Sequence, residues 1–159
     1  MASTISASTL TVTVSENITL NGSQQGGTIT KSITGINEAS KRIFTITTNE
    51  ATIATFSGAV SSAGHYNDGT VRYLRITNLD AEHFVALTLK NGANDEFAFK
   101  LDAGQSVVLC GDNSTGMELF FNATENADSA THTAFSPLTT ITADAESGTI
   151  DIEMFIATT

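Results

Sequence analysis

The chain has 159 residues, 17 acidic against seven basic, and a net charge of −10. Nucleic-acid binding needs clustered cations to displace counterions from phosphates, and with only Lys41-Arg42 and Arg72/Arg75 as close basic pairs, nucleic acid is excluded as an expected partner. Its 26 threonines and 15 serines, with no tryptophan, favour the half-exposed pleated surface of a sheet over helix.

Residues 1–40 form a Ser/Thr-rich arm without an aromatic residue. Met1-Ala2-Ser3-Thr4-Ile5-Ser6 has neither the basic nor the apolar region of an export signal. No apolar run reaches the length of a membrane span, about 18 residues. Synthesis in the cytoplasm, a soluble product and unused sequons at Asn17, Asn21, Asn113 and Asn122 are the expectation. Within the arm, Leu10, Val12 and Val14 alternate with threonines, Ile18 and Leu20 flank Thr19, and Ile29 and Ile33 bracket Lys31, the period of thin strands. So few large side chains bury little, each about 1.5 to 3 kcal/mol, and the arm needs a partner surface.

Residues 41–159 form the second unit, whose core content rises through Ile43–Ile46, Ile53–Phe56 and Val71–Ile76. The last of these switches its apolar phase midway, which predicts a bulge or burial on both faces. Val85, Leu87 and Leu89 alternate with Ala86, Thr88 and Lys90, as Phe97, Phe99 and Leu101 do with Glu96, Ala98 and Lys100. Asn91–Asp95 between them predicts a hairpin, and Asp102–Gln105 a second one. Val107–Cys110 is apolar on both faces and reads as a central strand, with Cys110 a small buried hydrophobe that has no partner for an intramolecular disulfide. Leu119–Phe121 is a further strand, and Ile150, Ile152, Met154 and Ile156 alternate along the last. Two loops interrupt the rhythm, Ser57–Gly69 and Asn122–Ser136 before Pro137. Ten to twelve strands spaced by turns predict an all-β, antiparallel β-sandwich or jelly roll with an extended N-terminal β arm.

No catalytic, cofactor-binding or metal site is expected. His65, His83 and His132 stand apart with no zinc-ligand spacing. Asp112–Gly116 lacks the third acidic position and the closing Glu of a calcium loop, and Asn67–Gly69 reads as a hairpin turn. Gly58–Gly64 is rich in small residues without a nucleophile elbow or phosphate cradle. The carboxylate pairs Asp95/Glu96 and Asp151/Glu153 are the remaining candidates for acid–base chemistry; the second lies on a polar strand face, where solvated side chains are expected.

Residues 70–112 contain Ile76-Thr77-Asn78-Leu79-Asp80 and, after the next two strands, Leu101-Asp102-Ala103-Gly104-Gln105-Ser106. This alternation of strand, I-x-N-x-D turn, strand and L-x-A/P-G-x-S turn resembles the β-sandwich accessory proteins of tailed-phage virions. The resemblance implies a structural virion component, such as a capsid decoration or cement protein, present in many copies and without a cofactor. Its partners would be further copies of itself, the major capsid protein, or both, with no membrane and no small-molecule substrate. Two other readings stay open. One is a tail, fibre or adhesin module binding host-surface glycans through Tyr66, Tyr73 or Phe135; the other is a hydrolase on a jelly-roll scaffold.

Overall fold

A computed structural model describes residues 5–92, 95–110 and 137–159. All regular structure among them is β. The arm is one hairpin, built from β1 (Ser8–Ser15), β2 (Thr19–Leu20), β3 (Ser23–Gln24) and β4 (Thr28–Ile36). At its tip Asn21 and Gly22 have φ of 49° and 78°, both left-handed, which is the two-residue loop whose twist matches antiparallel strands. Gly26 is obligatory in a different way: a Cβ there would stand 2.0 Å from the Glu16 carbonyl oxygen.

The body follows as β5 (Glu38–Thr47), β6 (Ala51–Ser57), β7 (His65–Asn67), β8 (Val71–Asn78), β9 (Val85–Asn91), β10 (Glu96–Leu101), β11 (Ser106–Cys110), β12 (Leu138–Ala145) and β13 (Thr149–Thr158). They make two sheets, ordered β11-β8-β13-β5 and β10-β9-β12-β6-β7. The antiparallel pairs are nested: β5 with β13, β6 with β12, β8 with β11, and β9 with β10. One long hairpin is thereby wound across two facing sheets, the jelly-roll topology. β7 is added outside this scheme and pairs parallel with β6.

Alternation places the core as the sequence predicts. Val85, Leu87 and Leu89 on β9 and Ile150, Ile152, Met154 and Ile156 on β13 are buried between the sheets with Leu74, Ile76 and Ile141. The phase switch on β8 has both predicted causes. Arg72 is an extra residue between the pairs Tyr73–Ala157 and Val71–Thr158, and the strand is covered on both faces. Tyr73 points outward, under the arm, where it forms a second apolar cluster with Ile33, Ile36 and Ala157, flanked by Leu10, Val12 and Phe155. The arm therefore sits at its base on the outer face of the four-stranded sheet. The junction with the body lies at Asn37, so β5 spans the boundary expected at residue 40.

Several expectations are corrected. β11 is an edge strand, not a central one, and Cys110 is exposed on it; its two apolar faces gave no information on lateral position. Ser57–Gly69 is not a free loop, because β7 lies within it. Asp102–Gln105 and Asn67–Gly69 are not hairpins. Each carries the chain from one sheet to the other, β10 to β11 and β7 to β8. Phe97 does not join the core; it is 56% exposed at an edge, stacked on Phe99 at 5.8 Å. β12, central in its sheet, has no counterpart among the predicted strands. Its core row of Leu138, Ile141, Ala143 and Ala145 breaks the period-two rule through register shifts against both neighbours. The expected strand at Leu119–Phe121 lies outside the described residues.

Two of the sheet-to-sheet crossings, β8–β9 and β10–β11, are tied together by one side chain. Asn78, fully buried, donates through Nδ2 to the carbonyls of His83 (2.9 Å) and Leu101 (3.1 Å) and accepts the Asp80 N–H at Oδ1 (2.9 Å). Its own N–H donates to the Gln105 carbonyl at 2.9 Å. The two turn motifs noted in the sequence thus bond to each other. Buried donors and acceptors left without partners cost about 1 to 3 kcal/mol each. Asn78→Ala is accordingly expected to lower unfolding stability by about 3 kcal/mol or more in urea titration. Asn78→Asp, which turns an oxygen toward two carbonyls, should fare no better. Wild-type midpoints for both would show that the clamp is dispensable.

Candidate functional site

The carboxylates and histidines of interest do not converge. Glu153 lies between two cations, with its Oε2 2.7 Å from Lys41 Nζ and its Oε1 bonded to Arg75 Nη2. These cations hold its carboxyl below the ordinary 4.5, the Lys41 hydrogen bond contributing most. Its companion Asp151 accepts the Thr45 hydroxyl at 2.7 Å. The second pair is committed likewise: Asp95 Oδ2 accepts from Asn91 Nδ2 at 2.8 Å, and Glu96 reaches Lys90 at 3.2 Å. Lys90 is shared with Glu50 at 2.9 Å, and Glu50 also accepts the Thr142 hydroxyl. General acid–base chemistry needs a carboxyl poised near working pH within reach of a substrate; these are tied to neighbouring side chains.

His83 Nδ1 stands 3.6 Å from Asp80 Oδ1, which also accepts the backbone N–H groups of Glu82 (2.8 Å) and His83 (2.7 Å). Those two N–H groups hold the Asp80 carboxyl below 3.8. This is turn chemistry, continuous with the Asn78 clamp. His65 shares a 2.9 Å hydrogen bond with Ser61 Oγ on the far edge. Among the described residues no group of three His, Cys, Asp or Glu side chains is placed to hold a metal ion. His132, Phe135 and Asp112–Gly116 lie outside the described residues.

Of the two described aromatic candidates for a glycan platform, Tyr73 is unavailable. It packs edge-on to Phe155 at 5.9 Å beneath the arm, and burial pushes its phenol up. Tyr66 is half-buried, stacked on Phe56 at 6.1 Å, and lines a groove between β5 and β7.

The most distinctive surface is the arm itself. On one face of its ladder the cross-strand pairs are Leu10–Ile33, Val12–Lys31 and Val14–Ile29. At the base Ile33 is 2% exposed against Tyr73 and Ala157; two pairs further out Val14 is 51% and Ile29 71% exposed. The apolar row runs on, uncovered, past the sheet that buries its beginning, and Ile18 and Leu20 near the tip are exposed as well. Residues 5–37 include one acid, Glu16, and one base, Lys31, so this hairpin is neutral while the rest of the chain carries the negative charge. A two-stranded sheet also leaves unpaired backbone groups along both of its edges.

The ion pairs define how stability depends on pH. Glu50, Asp80 and Glu153 are held below their ordinary values of 4.5, 3.8 and 4.5. Their contribution is therefore present above the unfolded-state value and is lost as pH falls through the lower, folded one. Lys90 and Lys100 are raised above 10.5 by their carboxylate partners, so their contribution is lost only as pH rises through the folded value. Urea midpoints should be level between these limits and fall on the acid side below about pH 4.5. Glu153→Gln should make the acid limb shallower and leave the alkaline limb unchanged; an unaltered acid limb would remove Glu153 from the account. No protein-family model, curated protein or solved structure matches the chain.

Proposed function

We propose that this chain is a structural protein of a tailed-phage particle, a decoration or cement protein that binds the head shell through its arm and sits beside further copies of itself. The observation that carries the reading is the apolar row of the arm, buried at its base and exposed from Val14 and Ile29 outward. Exposed aliphatic side chains aligned on one face of a hairpin favour a second protein surface, and the free hairpin edges can add a strand from it. The charge distribution supports the same use. A body with most of the −10 charge resists close approach of like bodies, whereas the neutral arm can reach a neighbour without that repulsion. The turn motifs that resemble phage accessory proteins support the class, and the committed state of the carboxylates favours a role in shape and contact over turnover.

The test uses the full-length chain. Val14→Asp with Ile29→Lys places two charges of opposite sign on exposed, directly paired positions, so the free protein should keep its stability within about 0.5 kcal/mol per substitution. Its occupancy on heads lacking the native protein, scored by cryo-electron microscopy or co-sedimentation, should drop about tenfold or more, since each charge must be desolvated in the contact. Undiminished decoration by the double variant would refute a role for the arm in shell binding.

A further inference from the structure

Along β5, alternate positions read Ile46, Phe44, Arg42, Ser40 and Glu38. The first four face Ile150, Ile152, Met154 and Ile156 on β13, none of them more than 1% exposed. This is the core-facing row, yet from Arg42 onward it presents a guanidinium, a hydroxyl and a carboxylate. Arg42 and Glu38 are exposed and Ser40 is half-buried, so beyond Phe44 the row leaves the core and lines an open surface.

The second sheet does not close over this row. Opposite it run the short β7 and the small-residue stretch Gly58–Gly64. Between them lies a groove of about 340 Å³ lined by Glu38, Arg42, Ser62, His65, Tyr66 and Thr70, within the size range of small-ligand sites. A second hollow of about 180 Å³ continues it and shares Arg42, Gly64 and His65. Gly64 has φ of 87°, a left-handed conformation that favours glycine, and a Cβ there would make ordinary contact with Arg42 Nη1 at 3.8 Å.

Arg42 differs from the other cations of the body. Lys41, Arg75, Lys90 and Lys100 pair with carboxylates, and Arg72 donates to the Gly69 carbonyl. Arg42 instead lies over the Phe44 ring, 4.8 Å from its centroid, with no carboxylate in ion-pair reach among the described residues. A guanidinium offers a planar fork of donors matched to a carboxylate. Glu38, in the same groove, opposes a second negative charge on any ligand. Ser40 and Glu38 continue the row at steps of about 7 Å, suited to hydroxyl groups, and Tyr66 offers an aromatic wall with a phenol.

We infer that this groove binds a carboxylate-bearing saccharide, its carboxylate on Arg42, its hydroxyls on Ser40, Glu38 and His65, and its ring against Tyr66. The proposal departs from the expectation of no small-molecule substrate. It is independent of shell decoration, because the groove opens on the inner face of the sheet whose outer face carries the arm.

The experiment titrates the full-length protein with glucuronic acid and with N-acetylneuraminic acid, following amide shifts by NMR, with glucose and acetate as controls. Saturable binding of at least one acidic sugar is expected, with both controls at least about tenfold weaker. Arg42→Met keeps the packing on Phe44 and should weaken the acidic sugar about tenfold to a hundredfold, the range for charge-assisted hydrogen bonds. Ser62→Trp, on the exposed loop, fills the groove and should abolish binding even if Arg42→Met does not fold. Acetate binding as tightly as the sugars, no saturable acidic-sugar binding, or affinity unchanged in a folded Arg42→Met protein or in Ser62→Trp would each overturn the assignment.

Discussion

A long hairpin wound into two facing sheets must carry its chain repeatedly from one sheet to the other, and where a crossing passes a buried position its backbone groups need partners. Asn78 resolves this at two crossings together. Its amide bridges the β8–β9 and β10–β11 turns, and its backbone N–H ties the same two segments. In a low-dielectric interior an unmet donor or acceptor is costly, and at these two crossings a single side chain meets them. The apolar alternation of β9 and β13 supplies the burial; the clamp ties the β8–β9 crossing to the β10–β11 crossing.

The arm shows the same physics with the opposite outcome. Its apolar row begins as part of the fold, against Tyr73, Phe155 and Ala157, and continues beyond the surface that could bury it. Nothing in local propensity distinguishes Ile33 from Ile29. They differ only in what lies beneath them. The neutral hairpin and the negatively charged body thereby divide the molecule by charge.

Chemistry is distributed in keeping with this division. Glu153, Glu50 and Glu96 are held by Lys41, Arg75 and Lys90, which links sheet neighbours. Arg42 is the exception, a cation on a core-facing row at an open edge of the sandwich. The contrast with Lys41, one residue away on the other face and paired to Glu153, shows how strand alternation assigns adjacent residues to unrelated tasks.

Period-two patterning, turn residues and the Thr-rich composition determined by themselves that the described residues are all-β, that β9 and β13 bury the residues they do, that β9 and β10 pair as neighbours and that the arm is made of thin strands short of core. These are local properties, written in the order of side chains along a strand. Which strand is central and which is an edge was decided only in three dimensions, because an apolar run such as Val107–Cys110 reads the same in either position. The same holds for β12, whose register shifts hide its period, for the sheet-crossing turns at Asn67–Gly69 and Asp102–Gln105, and for the groove at Arg42. Lateral neighbours along a sheet come from distant parts of the chain, and no local pattern names them.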